Sequence, residues 1–178
     1  HQDLFTSLAL IVRFTLLVEL AGAALLAGCF LAAGDGLPRA LWQGLFTAVS
    51  AFCNAGFPLH STNLVPFQTS PLLLHTVATL IILGGLAPAT CLILPDWLRG
   101  RAIPLAPRLA LVTTAALLLA GALAFLVFEW DNALAGLALV DRLHNAWFQS
   151  VTLRTAGFNS VDLATVLGPT CLFMHVWM

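Results

Sequence analysis

The chain has no lysine and no tyrosine, and only 8% of its 178 residues are charged, seven of them arginine against eight acidic groups. With 60% hydrophobic residues, this leaves too little polar surface to cover a water-soluble domain of this size. Also missing is a basic start followed by a short apolar core and a small-residue cleavage site, so the first apolar run reads as a retained helix and not a removed signal peptide. Cys29, Cys53, Cys91 and Cys171 show no CxxC spacing, which excludes a zinc site or a disulfide framework and leaves them as buried small hydrophobes. No group of His, Asp, Glu, Ser or Cys stands at catalytic spacing, so no enzyme is expected. His75 and His175 sit in apolar runs without a second metal ligand and read as packed, neutral side chains. The all-arginine basic set reflects codon usage in a GC-rich genome.

What the chain does have is a series of apolar runs, the longer ones sufficient to cross a hydrocarbon core of ~30 Å at 1.5 Å per residue. Residues 4–33 form the first, flanked by Arg13 and by Asp35-Gly36. Pro38 suits the first turn of a new helix over 38–52, too short to span, which runs into Asn54-Ala55-Gly56-Phe57-Pro58. A polar linker with Ser61, Thr62 and Asn63 leads to a span over 71–94, which Gly84-Gly85 and Pro88 should loosen or kink. Residues 95–108 carry Arg99, Arg101 and Arg108 and read as a cytoplasmic connection by the positive-inside rule. The pattern then restarts. Residues 109–128 span outward, Glu129, Asp131 and Asp141 mark the outer side, and Asp141 is expected to cap a short helix over 142–153. That helix delivers the chain to Arg154-Thr155-Ala156-Gly157-Phe158-Asn159, after which residues 161–178 start inward again. Trp42, Trp97 and Trp130 fall at expected interfaces, as belt residues do.

The two Ala-Gly-Phe cores lie roughly a hundred residues apart, and the chain reads as an internal repeat in which each unit supplies one part of a shared structure. Residues 1–100 form one unit and 101–178 the other, truncated within its last span. Non-helical backbone at membrane depth is tolerated only where protein or a water-filled cavity surrounds it. A half-helix that ends in such a segment is expected to be a pore loop. Its C-terminus carries partial negative charge, and the carbonyls after it can replace the hydration shell of a cation. Gly56 and Gly157 let the backbone turn those carbonyls through dihedrals that a Cβ makes costly. With no carboxylate in either segment, carbonyls and the polar groups of Asn54 and Thr155 favour a weakly hydrated monovalent ion, potassium before sodium.

The runs Ser50-Ala51-Phe52-Cys53-Asn54-Ala55-Gly56-Phe57 and Arg154-Thr155-Ala156-Gly157-Phe158-Asn159-Ser160-Val161-Asp162-Leu163 resemble the second and third pore loops of the Trk/Ktr/HKT potassium transporter superfamily, nearest to bacterial TrkH/KtrB-type membrane subunits. The resemblance implies an all-α integral membrane fold built from four repeats of span, pore helix, filter loop and span around a pseudo-fourfold pore, two of which lie here. It implies a selectivity filter that includes Asn54, Ala55, Gly56, Phe57, Thr155, Ala156, Gly157 and Phe158, with potassium at Gly56 and Gly157 and no organic cofactor. It further implies a homodimer in the bacterial inner membrane, filter loops facing outside, a cytosolic nucleotide-binding regulatory partner, no nucleic acid, and a gating loop beyond Met178. Cys53 and Pro58 depart from the polar residues expected beside the first filter, and Ala87 stands where the family often has glycine.

Arg154 is the costliest group at membrane depth, and Asp162, emerging past the same loop, is its expected partner, bracing the filter. Glu19 is expected to make a structural hydrogen bond. A competing reading is an ion-coupled secondary transporter of sodium or another small cation, in which broken helices also meet near the midplane. Parallel repeats that end in half-helices of one orientation favour a pore.

Overall fold

The computed structural model describes residues 2–154 and 156–178, and every described regular element is helical. Helix α1 covers Gln2–Ala32, α2 Leu37–Phe52, α3 Pro71–Gly85, α4 Pro88–Leu98, α5 Leu105–Glu129, α6 Leu139–Thr152 and α7 Gly168–Trp177. Single 3-10 turns at Val65–Phe67 and Leu163–Thr165 break the connections that follow α2 and α6. The sequence long helix, short helix, glycine segment, 3-10 turn, helix therefore occurs twice.

Two helices, α1 through Leu8–Ala32 and α5 through Leu105–Glu129, are long and apolar enough to cross a membrane. Leu16, Leu17 and Leu20 of α1 and Leu119, Leu123 and Val127 of α5 are exposed, which suits lipid and not water. The expected single span over 71–94 is instead the bent pair α3 and α4, which meet at 110° and count as a third crossing only when taken together. The break falls where the chain has least reason to stay helical: Gly85 ends α3, and Pro88, which has no N–H to donate, occupies the first turn of α4.

Helix α2 folds back along α1 at very short range. A Cβ on Gly44 would stand 2.6 Å from the Ala23 carbonyl oxygen and 2.7 Å from the Ala27 nitrogen, so the absence of a side chain is what lets the two backbones approach. Phe30, fully buried, packs edge-on against Phe67 with ring centroids 5.4 Å apart. The same core takes in Leu73, Leu74 and Val77 of α3 and Phe148 and Val151 of α6, so the two units share one interior. A smaller core gathers Phe125, Leu134, Ala146 and Val161.

Asp141 does not cap α6. The chain turns into the helix at Ala138, and Asp141 lies within the first turn, where a carboxylate still complements the helix dipole. The turn ahead of it is held by Arg142, whose guanidinium donates to the carbonyls of Leu137, Trp130 and Ala135 and stacks 4.7 Å over the Trp130 ring. Glu129, expected only to mark the outer side, is fully buried, and its carboxylate accepts from Asn132, Ala133, Leu167 and Thr170. It ties the end of α5 to the start of α7. His75 is not a lone packed histidine: its Nε2 lies 2.8 Å from Nδ1 of His144, joining α3 to α6. Glu19 has no hydrogen-bond partner among the described residues.

Candidate functional site: two facing glycine loops

Each short helix ends in a tightened turn that aims the chain into its glycine segment. After α2, the N–H of Cys53 donates to Val49, that of Asn54 to Ala51 and that of Ala55 to Ser50. Asn54 then takes a φ of 52° and Gly56 a φ of 67°. After α6, Leu153 donates to Gln149, Arg154 to Val151 and Ala156 to Thr152, and Gly157 has a φ of 79°. The left-handed dihedral costs ordinary L-residues roughly 1–2 kcal/mol and glycine almost nothing. Both glycines are therefore used where their lack of a Cβ matters.

A buried hydroxyl in the last turn of each half-helix fastens the far end of its loop. Ser50 Oγ accepts from the Phe57 N–H at 2.9 Å and donates to the Phe57 carbonyl at 3.2 Å. Thr152 Oγ donates to the Phe158 carbonyl at 2.7 Å. The two residues stand six and five positions before their glycines, but nothing local says that a hydroxyl will reach forward and not bond its own helix backbone. Phe158 is fully buried, whereas Phe57 is 67% exposed, so only the second loop is anchored in the core through its phenylalanine.

The two loops meet backbone to backbone. A Cβ built on Gly56 would collide with the Ala156 carbonyl and lie 2.9 Å from the Gly157 Cα, and one on Gly157 would lie 3.4 Å from the Gly56 Cα. Gly56, Ala156 and Gly157 are thus brought together from segments far apart in the chain. Thr155, expected to open the second segment, lies outside the described residues. A second tie comes from the linker after the first loop, where Leu64 donates its N–H to the Asn159 carbonyl at 2.9 Å.

On the helix side of the loops is a cavity of about 180 Å³ lined by Asn54, Ile81, Ile82, Gly85, Leu86, Thr114, Leu118, Val151 and Arg154. The C-termini of α2 and α6 both border it, so their partial negative charges converge there. Arg154 sits two residues past the end of α6 and complements that helix end. It is not paired with Asp162 as expected. The ion pairs among the described residues are Arg39 with Asp35 and Arg101 with Asp96. The Asp162 carboxylate caps the second 3-10 turn, accepting from the Ala164 N–H at 2.9 Å. A carboxylate placed just before a turn is drawn to the nearest free N–H, and the chain has carried Asp162 out to an exposed position by then.

Among the described residues no group of three or more His, Cys, Asp or Glu could hold a metal ion. The polar groups that the loops offer are neutral oxygens, the donor set that suits a weakly hydrated cation.

The profile of one protein family, TrkH, described as a cation transport protein, matches residues 2–178. The chain is 38% identical over 157 residues to the potassium/sodium uptake protein NtpJ of Enterococcus hirae, covering 85% of the chain and 34% of that protein. It is 35% identical over 180 aligned positions to the Ktr system potassium uptake protein B of Vibrio alginolyticus, covering 94% of the chain and 38% of the relative. The Bacillus subtilis protein of the same name is 34% identical over 167 residues, 93% of the chain and 37% of the relative. The chain thus spans little more than a third of the length of the relatives it matches.

Proposed function

This chain belongs to the TrkH family of cation transport proteins, and from that premise we propose that it contributes two of four units to a carbonyl-lined path for potassium uptake across the cell membrane. The observation that carries the reading is the meeting of Gly56 and Gly157, each left-handed, each just past the C-terminus of a half-helix, and each in backbone contact with the other loop. Adjacent members of a ring of carbonyls around one axis would stand in this relation. Loss of hydration is offset by backbone oxygens held in place before the ion arrives, and the α2 helix end adds attraction for positive charge while Arg154 complements the end of α6; neither glycine segment has a carboxylate that would favour a divalent ion. The relatives' own names, potassium uptake and potassium/sodium uptake, agree with a monovalent cation.

In this reading the whole protein is the pore-forming subunit of a Trk/Ktr-type system, a homodimer with a cytosolic nucleotide-binding regulatory subunit. The arginine-bearing connection between α4 and α5 faces the cytoplasm and the glycine loops open outside. The test is Gly157→Ser in the complete transporter, with Gly136→Ser, whose added Cβ meets nothing within 4 Å, as control. Potassium and sodium uptake by membrane vesicles, normalised to protein level, should show lowered potassium preference in the first variant and wild-type preference in the second. Unchanged preference in Gly157→Ser would remove this glycine from the ion path.

A further inference from the structure

We propose that Asn63, in the linker that follows the first loop, is a positioning residue that sets the ion preference of the second loop, an inference that rests on the filter reading above. Asn63 closes a tight turn by donating its N–H to the His60 carbonyl at 3.0 Å and has a φ of 57°. Asparagine tolerates that left-handed conformation better than other residues with side chains. Its neighbour Leu64 is only 2% exposed and sits in the shared core. The turn is therefore anchored on one side by packing and aimed at the second loop on the other.

From there the side chain makes two contacts with the other repeat. Asn63 Oδ1 accepts from the Asn159 N–H at 3.1 Å, while the Asn159 carbonyl accepts from the Leu64 N–H at 2.9 Å. Both backbone groups of Asn159 are thus held from the first unit. Asn63 Nδ2 donates at 3.5 Å to the carbonyl oxygen of Gly157 itself.

The physical consequence follows from what glycine lacks. With no Cβ to restrict it, the peptide after Gly157 can swing between orientations of similar energy, and a carbonyl that swings is a poor fixed ligand. On the helix side the loop is tied by Thr152 to Phe158, and on the outer side it is reached by the Asn63 side chain and by the Leu64 N–H. The clasp holds Asn159 and biases the Gly157 carbonyl toward the amide. It also makes the geometry of the second loop depend on the first, so the two segments act as one unit and not as independent contributors.

The experiment uses the complete transporter in membrane vesicles, with potassium and sodium uptake measured on the same preparation, so that the ratio does not depend on protein amount. Asn63→Gly keeps the left-handed backbone and removes both side-chain contacts. Asn63→Asp keeps an oxygen for the Asn159 N–H and turns the donor facing Gly157 into an acceptor. Loss of a hydrogen bond of ordinary strength corresponds to a fall of about threefold or more in the potassium-to-sodium ratio of Asn63→Gly. An equal fall in Asn63→Asp assigns the effect to Nδ2, and a smaller one assigns it to the Asn159 contact. A wild-type ratio in both variants overturns the proposal. Gly157→Ser is measured in parallel: if it shifts the ratio and the Asn63 variants do not, only the role of Asn63 falls, and if it leaves the ratio unchanged, the filter reading falls and the role of Asn63 with it.

Discussion

Thr152 Oγ and the Phe158 carbonyl oxygen lie 2.7 Å apart, both residues buried, with the whole second glycine segment strung between them. The bond closes that segment into a loop whose two ends are fixed. Thr152→Val keeps the shape and removes the donor, leaving a buried carbonyl unpartnered at a cost of ~1–3 kcal/mol. Potassium preference per molecule is expected to fall by about fivefold or more, and Thr152→Ser, which keeps the hydroxyl, should restore it. Equal preference in the valine and serine variants, measured by paired ion uptake, would show that the hydroxyl does not hold the loop.

Gly84 and Gly85 stand side by side in the sequence yet meet different surroundings. A Cβ on Gly84 would land on the carbonyl of Phe52 at the end of α2, whereas one on Gly85 finds only Asn54 Nδ2 at 3.7 Å, an ordinary contact. Gly84→Ala must push α3 away from the half-helix, and overpacking against backbone costs ~1–3 kcal/mol or more. Gly85→Ala should change stability by less than ~1 kcal/mol. Melting of the detergent-solubilised transporter, followed by size-exclusion chromatography after heating, checks the pair. Equal midpoints would mean that these glycines serve only to bend the span.

Glu129 is the buried hub of the second unit, accepting from Asn132 Nδ2 at 2.6 Å, from the Leu167 N–H at 3.0 Å and from the Thr170 hydroxyl. Glu129→Ala leaves the buried Thr170 hydroxyl without its acceptor, at a cost of ~1–3 kcal/mol, and frees the part-buried N–H groups of Ala133 and Leu167 as well. Glu129→Gln keeps one oxygen and most of the packing. The expected order of protein abundance is wild type, then Gln, then Ala, with the potassium-to-sodium ratio unchanged in whatever folds. A shifted ratio with full abundance would place Glu129 on the ion path and contradict a bracing role.

The membrane class, the two long helices, the two half-helices and the glycine at the head of each loop were legible in the sequence because each rests on local physics. Apolar run length decides what can span, proline and glycine decide where a helix starts and stops, and a missing Cβ decides where φ can turn positive. The ion pair of Arg154 with Asp162 was inferred from proximity along the chain, and tertiary structure set it aside. Asp162 found a free N–H two residues on, and Arg154 was left at the cavity where the ends of α2 and α6 converge. Likewise α3 and α4 make a 110° bend where a loosened or kinked span was expected, because the breaker residues permit a bend but only packing sets its size. What only the fold could decide are the contacts between residues far apart in sequence: Gly56 against Gly157, Asn63 against Asn159, His75 against His144, Glu129 against Thr170. Each joins groups whose separation is set by how helices pack, and no periodicity in a single segment encodes that distance.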